Sequence, residues 1–301
     1  MARPSLTEIP MYDEFFDLGP AQGRNIFVLP VPYEGTVSYG TGTRQGPEAL
    51  FRASVQIESY DAELDLDLTD LAHFTPLAPV DPPKGGPEAL HQVMRRRLAE
   101  FDAARNFILT LGGEHSVPLP LFEFYKEAHP DLVILHVDAH ADLRESYGDT
   151  PYSHACIMAR ARQLSLPLVQ LGIRSLCRDQ RDFMRAQPKS ELMTMFAWDL
   201  PSPCEAAERV RAFVGERPVY LSFDVDGMDP SVIPGTGTPE PGGIAYAWMS
   251  RFWKELWLDG LGPRLVGMDM VELSPIHGSQ VSETAAVKLI QRILVSWLGQ
   301  G

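Results

Sequence analysis

The sequence has few cysteines and no long apolar run, and both absences narrow the class of protein. Only three cysteines, Cys156, Cys177 and Cys204, occur among 301 residues, and no two of them form a Cys-X-X-Cys pair. A disulfide framework or a thiolate metal site is therefore not expected. No stretch approaches the length of a membrane-spanning helix, and residues 1–5 lack the apolar core of a signal peptide. We expect a cytoplasmic protein with reduced thiols and no membrane contact.

The chain also has fewer basic residues than acidic residues. The chain carries 26 Lys and Arg against 40 Asp and Glu, a formal net charge of −14. Nucleic-acid binding needs a basic surface for the phosphates, so we do not expect a nucleic-acid partner. The acidic balance is compatible with a small cationic ligand. No linker, low-complexity tract or internal repeat divides the chain, and 45% of its residues are hydrophobic, so we expect one domain spanning residues 1–301.

Apolar segments of strand length alternate with amphipathic segments of helical period. This alternation is typical of a mainly parallel sheet covered by helices on both faces. We predict an α/β three-layer sandwich with an open, mainly parallel sheet, although the number of elements would also permit a closed eight-fold barrel. The predicted strands are 25–29, 106–111, 132–137, 167–173, 192–196, 219–223 and 265–271, and the predicted helices are 48–54, 88–101, 119–127, 155–163, 179–187, 205–214, 247–258 and 283–298.

Three polar segments each follow a predicted strand. They are Gly-Gly-Glu-His at 112–115, Asp-Ala-His-Ala-Asp at 138–142 and Asp-Val-Asp at 224–226. Alternate residues of an extended segment point to the same side, so the polar side chains within each segment would lie together. Open α/β sheets bind ligands at the carboxyl ends of their strands, where these segments would meet. The side chains concerned are those of His115, Asp138, His140, Asp142, Asp224 and Asp226.

This set of four carboxylates and two imidazoles suits two divalent cations. Each piece alone has an ordinary explanation, because an Asp-X-Asp at a strand end commonly caps a turn. Burying two carboxylates that lie two residues apart is energetically unfavourable unless a cation neutralises them. Because all three segments lie at equivalent strand ends, a metal centre is the favoured interpretation. The ligand types favour Mn²⁺ over a thiolate-preferring metal, while Zn²⁺, Fe²⁺ and Co²⁺ stay open. His136 shares the strand face of Asp138 but lies deeper, so we expect a core histidine there rather than a further ligand.

Longer motifs resemble the signatures of the ureohydrolase family, which includes arginase, agmatinase and formimidoylglutamase. These motifs are Gly-Gly-Glu-His-Ser at 112–116, Asp-Ala-His-Ala-Asp at 138–142 and Ser-Phe-Asp-Val-Asp-Gly-Met-Asp-Pro-Ser at 222–231. The third continues through 234–243, and residues 42–47 resemble the amino-terminal segment of the family, so the similarity runs over nearly the whole chain. The resemblance implies an open, mostly parallel α/β sandwich that holds two Mn²⁺ ions.

The resemblance also implies a ligand assignment and a reaction. Asp138 and Asp224 would bridge the two ions, and a water held between ions about 3.5–4 Å apart has a lowered pKa and can attack a guanidinium carbon. Urea and an amine would be the products. By motif position, one ion would be held by His115, Asp138, Asp142 and Asp224, and the other by His140 and Asp226 together with the two bridging aspartates.

Two further residues match functional positions of the family. Glu272 resembles the glutamate that hydrogen-bonds the guanidinium group, and a carboxylate there can accept from two N–H groups. His154 resembles the histidine near the leaving group, which can supply the proton that the departing amine needs. Asp226 is a second candidate for relaying that proton. The residue after His154 is Ala155, where many relatives have glycine.

Substrate choice depends on a segment that this chain lacks. In arginases a Ser-Gly-Asn segment before the leaving-group histidine reads the carboxylate of the amino acid, and residues 149–153 here are Asp-Thr-Pro-Tyr-Ser. We therefore expect agmatine, hydrolysed to urea and putrescine for polyamine biosynthesis, with Asp149 as a possible contact for the distal amine. The alternatives are guanidinobutyrate, arginine, formimidoylglutamase activity, a one-zinc deacetylase or a non-catalytic metal-binding relative. The family implies a homo-oligomer, either a trimer or a hexamer.

Overall fold

An open eight-stranded sheet forms the centre of the computed structural model, which describes residues 15–16 and 23–299. Its strand order is β4-β1-β5-β10-β9-β6-β7-β8, and every neighbouring pair is parallel. A short antiparallel pair, β2 with β3, lies outside this sheet. The strands are β1 (Arg24–Val31), β2 (Tyr60–Asp61), β3 (Leu66–Asp67), β4 (Ala72–Pro76), β5 (Phe107–Gly112), β6 (Val133–Val137), β7 (Leu168–Ile173), β8 (Leu192–Phe196), β9 (Val219–Asp224) and β10 (Leu265–Val271).

Helices cover both faces of the sheet and enclose two separate apolar cores. One core packs α1, α7, α8 and α9 against the sheet, and the other packs α3, α4, α5 and α6. Strands buried on both faces explain the nearly continuous apolar runs in the sequence. The helices are α1 (Gly46–Ser54), α2 (Leu68–Leu71), α3 (Gly86–Leu98), α4 (Leu119–Ala128), α5 (Ile157–Gln163), α6 (Arg178–Ala186), α7 (Pro203–Val214), α8 (Tyr246–Leu256) and α9 (Val281–Leu298).

The predicted three-layer α/β sandwich is confirmed. The barrel is excluded because β4 and β8, the first and last strands of the sheet among the described residues, do not pair with each other. All seven predicted strands are present within a few residues. The edge strand β4 was missed because its sequence, Ala-His-Phe-Thr-Pro, is short, mixed in polarity and ends in proline. Among the described helices, none is long and apolar enough to cross a membrane. The single domain predicted over 1–301 includes residues 1–14, 17–22 and 300–301, which lie outside the described part.

The four central strands, β5, β10, β9 and β6, are parallel, so their carboxyl ends lie together at one end of the sheet. Two glycines at this end allow the backbone to pass close to neighbouring segments. A Cβ atom at Gly113 would lie 1.8 Å from the carbonyl oxygen of Tyr33, and one at Gly227 would lie 2.8 Å from the backbone nitrogen of Asp138. The glycines of these two motifs therefore serve close packing around the polar segments that follow β5, β6 and β9.

Candidate metal centre

The first part of the polar cluster surrounds the imidazole of His115, which is 1% exposed. Its Nδ1 atom faces three carboxylates that come from two different strand ends. Ligand atoms around a cation at about 2.1 Å lie about 3 Å from one another, so this spacing is compatible with an ion between them. The distances from His115 Nδ1 are 3.1 Å to Asp138 Oδ2, 3.2 Å to Asp142 Oδ2 and 3.2 Å to Asp224 Oδ2.

The second part of the cluster surrounds His140. Its Nδ1 atom lies 3.0 Å from Asp226 Oδ2 and 3.4 Å from Asp138 Oδ1. Asp138 thus belongs to both parts, one oxygen to each, as a bridging ligand would. Asp224 reaches the first part through Oδ2, while its Oδ1 accepts a hydrogen bond from the Asp226 N–H at 2.8 Å. The fold therefore brings together all six side chains that the sequence predicts as ligands.

The hydrogen bonds of His115 leave one nitrogen available for a cation. The Ser222 hydroxyl donates to Asp269 Oδ1 at 3.1 Å, so its oxygen accepts from the Nε2–H of His115 at 3.0 Å. Nδ1 then carries a lone pair, and it is buried without a hydrogen-bond partner among the described residues. Burial disfavours a proton on this imidazole, but its contacts with the three carboxylates outweigh burial and raise the pKa of His115 well above its usual range. Nδ1 is therefore a position that attracts positive charge, and the donor set fits a bound metal ion in place of that proton.

Burial and mutual repulsion raise the pKa values of two of the aspartates, whereas histidine contacts lower that of a third. Burial, followed by the charges of Asp226 and Asp138, holds the pKa of Asp224 well above its usual range. Burial and the charge of Asp138 likewise raise the pKa of Asp226. Burial also disfavours the charged form of Asp138, but contacts with His136 and His115 outweigh it and hold the pKa of Asp138 well below its usual range. The cluster therefore holds more buried negative charge than its imidazoles neutralise.

Two site carboxylates sit on backbone conformations that side chains other than glycine rarely adopt. Asp142 has φ of 51° and Glu272 has φ of 63°, both in the left-handed region. Such conformations are unfavourable by about 1–3 kcal/mol each, and they concentrate at functional sites where the surroundings hold them in place. Both residues directly face the candidate centre. Their conformation indicates that the position of each carboxylate, rather than local stability, determines the backbone here.

A pocket of about 300 Å³ opens over the cluster and contains both further residues predicted from the family resemblance, Glu272 and His154. Glu272 Oε1 accepts a hydrogen bond from the His115 N–H at 2.6 Å, which ties the last strand to the first ligand. Burial, followed by the nearby charge of Glu114, raises the pKa of Glu272 well above its usual range. A cation that binds in the pocket would relieve the same repulsion.

The orientation of His154 depends on two residues that were not predicted. His154 Nδ1 lies 3.0 Å from Thr36 Oγ1, and that hydroxyl donates to Glu114 Oε1 at 2.6 Å. Glu114 is fully buried, and its other oxygen accepts from the backbone N–H groups of Gly35 and Thr36. The loop above the pocket and the His154 imidazole are thus fixed by one carboxylate. Glu114 was visible in the sequence beside His115, whereas nothing in the sequence marked Thr36.

A half-buried arginine holds the loop that carries Asp226. The Arg174 guanidinium donates to the backbone carbonyl oxygens of Asp226, at 2.7 Å, and of Glu240, also at 2.7 Å. The Thr238 hydroxyl donates to Asp226 Oδ2 at 3.2 Å, which orients that carboxylate directly. Sequence reasoning missed Arg174 because its partners are backbone atoms, which carry no residue-specific pattern.

The mouth of the pocket does not include Asp149, the possible contact for the distal amine. Asp149 is exposed in a turn, with φ of 62°, and does not line the pocket. Arg144 and Tyr147 line it instead, and the Arg144 guanidinium lies 5.3 Å from the centre of the Tyr147 ring. Asp149 is therefore a turn residue outside the lining of this pocket.

Comparisons with known proteins identify the family to which this chain is similar. A family model described as the arginase family matches residues 24–296. An N(1)-aminopropylagmatine ureohydrolase of Thermus thermophilus is 35% identical over 271 residues, covering 90% of this chain and 89% of the relative. An agmatinase of Bacillus cereus is 32% identical over 282 residues, covering 91% and 92%. The crystal structure of agmatine ureohydrolase of Thermoplasma volcanium superposes with a TM-score of 0.75 at 27% identity, covering 91% of this chain and 90% of that one.

Proposed function

The chain belongs to the arginase family, and we propose that it hydrolyses the guanidinium group of agmatine to urea and putrescine. The observation that carries the proposal is the buried cluster of four aspartates around two imidazoles, with Glu272 in the same pocket. The site is a metal-dependent hydrolase site by family, and the relatives named agmatinase support the guanidino substrate.

We assign the metal to the six clustered side chains and propose two Mn²⁺ ions. Asp138 would be shared by both ions, because one of its oxygens faces His115 and the other faces His140. For Asp224, the proposal of a shared ligand rests on the resemblance to the family motif. When bound, such ions supply a water of lowered pKa and positive charge opposite the developing negative charge. The proposed ligands are His115, Asp138, His140, Asp142, Asp224 and Asp226.

The remaining residues of the pocket have separate roles in the proposed reaction. Glu272 accepts hydrogen bonds from the guanidinium N–H groups and so sets the direction from which its carbon is approached. His154 supplies the proton that the departing amine needs, since an imidazole exchanges protons near neutral pH. Its Nδ1 is engaged by Thr36, so Nε2 is the nitrogen that faces the reaction. Asp226 is a second candidate for relaying a proton to the departing amine, because it lines the same pocket.

Agmatine is expected to have a kcat/KM at least about 100-fold higher than arginine. The pocket lacks the segment that binds the arginine carboxylate in arginases, and losing the hydrogen bonds of that segment is unfavourable for arginine by about 3 kcal/mol. Urea release from a panel of agmatine, arginine and guanidinobutyrate, measured on purified protein with Mn²⁺, tests this. A preference for arginine or guanidinobutyrate would overturn the choice of substrate and leave the guanidinium chemistry standing. No urea from any guanidino compound would overturn both.

A second candidate substrate is N(1)-aminopropylagmatine, which the 35% identical relative is named for. It carries the same guanidino group on a longer polyamine chain, so the metal chemistry is unchanged and only the pocket mouth distinguishes it. Including this compound in the panel separates the two substrates by their kcat/KM values. A cytoplasmic location and assembly as a trimer or hexamer remain predictions.

A further inference from the structure

A row of polar side chains crosses the sheet below the candidate metal centre. Its members occupy one register position on six neighbouring strands, so all of them point to the same face. Central strands of a sheet covered on both sides are normally apolar, and five members of this row are fully buried. In spatial order the row is Thr110, Asp269, Ser222, His136, Gln170 and Thr194.

His136 occupies the middle of this row and contacts a proposed metal ligand. Its Nε2 atom lies 2.8 Å from Asp138 Oδ2, and its Nδ1 atom lies 3.1 Å from the side-chain nitrogen of Gln170. That amide nitrogen also donates to the carbonyl oxygen of Ala141 at 2.9 Å, while the amide oxygen accepts from the Thr194 hydroxyl at 3.3 Å. The orientation of the Gln170 amide is thus fixed at both ends.

The Gln170 amide selects one tautomer of His136. An amide nitrogen only donates, so Nδ1 must accept and the ring hydrogen must lie on Nε2. Nε2–H then donates to Asp138 Oδ2. The other oxygen of Asp138 accepts from the His140 N–H at 2.5 Å, so hydrogen bonds hold the carboxylate at both oxygens.

We propose that His136 is a positioning residue for the metal centre, which donates a hydrogen bond that keeps the Asp138 carboxylate turned toward both ions. The inference rests on the proposed function, because it needs the metal centre assigned there. A partner that orients a metal ligand commonly contributes a factor of about 10–100 to metal affinity. His136 is therefore more than the core histidine that the sequence predicted.

Direct ligation of an ion by His136 is the competing explanation, since its ring lies near His115 and Asp142. Ligation requires a free lone pair on one ring nitrogen. The lone pair of Nδ1 accepts from Gln170, and Nε2 carries the hydrogen that Asp138 accepts. Both nitrogens are thus engaged, and the two explanations differ in the number of ions that a His136 variant should bind.

The test is a calorimetric titration of Mn²⁺ into the metal-free full-length protein. His136→Leu should raise the Kd for Mn²⁺ by about 10–100-fold and still bind the same number of ions as the unaltered chain. His136→Gln carries an amide N–H near the position of Nε2, so it should recover most of the lost affinity. Gln170→Met leaves His136 in place without its tautomer-selecting partner, and a smaller rise of about threefold to tenfold in Kd is expected.

His129→Leu is the matched control, because His129 is also buried but contacts Arg264 at the opposite end of β6. Its Kd for Mn²⁺ should stay within about twofold of the unaltered value. Circular dichroism establishes whether each variant is folded. If His136→Leu does not fold, the affinity of Gln170→Met provides the test instead. Unchanged affinity in both His136→Leu and Gln170→Met, or one ion fewer in His136→Leu, would overturn the positioning role alone. Absence of Mn²⁺ binding by the unaltered chain would overturn this inference together with the proposed function.

Discussion

Replacing Asp224 by asparagine is expected to lower urea release from agmatine by at least about 1000-fold. The Asp226 N–H should keep the amide oxygen of the new side chain as its acceptor, because Asp224 Oδ1 accepts from it at 2.8 Å. The amide nitrogen would then face His115 Nδ1, in place of the oxygen now at 3.2 Å. A group that only donates cannot bind a cation, and losing about 4 kcal/mol of stabilisation corresponds to this factor.

Thermal unfolding separates this effect from a loss of structure. Burial and neighbouring carboxylates raise the pKa of Asp224, so removing its charge relieves repulsion in the metal-free protein. The metal-free variant should therefore unfold at a temperature no lower than the metal-free unaltered chain. Asp259→Asn, at an exposed position whose left-handed backbone asparagine tolerates, is the control and should keep full activity. Turnover above about one tenth of normal in Asp224→Asn would contradict the assignment of Asp224 as a bridging ligand.

Glu272→Gln is expected to lower kcat/KM for agmatine by several hundred-fold while both ions stay bound. Its amide oxygen can replace Oε1 as the acceptor for the His115 N–H, which keeps the ligand in place. The other oxygen becomes an N–H donor that repels the guanidinium instead of accepting from it. Two charge-assisted hydrogen bonds lost in a buried pocket amount to about 3–4 kcal/mol, which corresponds to this factor.

Metal content and kinetics must be measured on the same Glu272→Gln preparation. We expect a normal metal content together with a large loss of turnover. Glutamine has nearly the same volume as glutamate and must adopt the same left-handed backbone conformation. Loss of an ion would assign Glu272 to metal binding instead. Near-normal turnover with both ions bound would remove it from the proposed guanidinium contact.

The sheet and most helices were predictable because their physical signal is local. Apolar runs of five to seven residues between amphipathic segments are typical of strands that are covered on both faces, as at β6 and β9. The edge strand β4 lacks that signal, because its sequence Ala-His-Phe-Thr-Pro mixes polar and apolar residues. The order of the strands could not be predicted from local sequence patterns. Placing β10 between β5 and β9 depends on contacts between residues more than 150 positions apart.

The ligands were predictable and their supporting residues were not. Asp138 and His140 stand two apart after a strand, and that spacing alone places them together. Thr36 reaches His154 across 118 positions, and Gln170 reaches His136 across 34. Threonine and glutamine are ordinary in loops and strands, so neither residue type points to a site. Only the register of the assembled sheet shows that Gln170 lies beside His136.

The central claim is that two bound ions are required for guanidinium hydrolysis in this site. It is tested most directly by titrating Mn²⁺ into metal-free protein while recording bound ions per chain and the rate of urea release from agmatine. We predict that the rate rises with the second ion and reaches its maximum at two ions per chain. Full activity with one ion per chain or with none, or no urea at any ratio of Mn²⁺ to protein, would contradict the account.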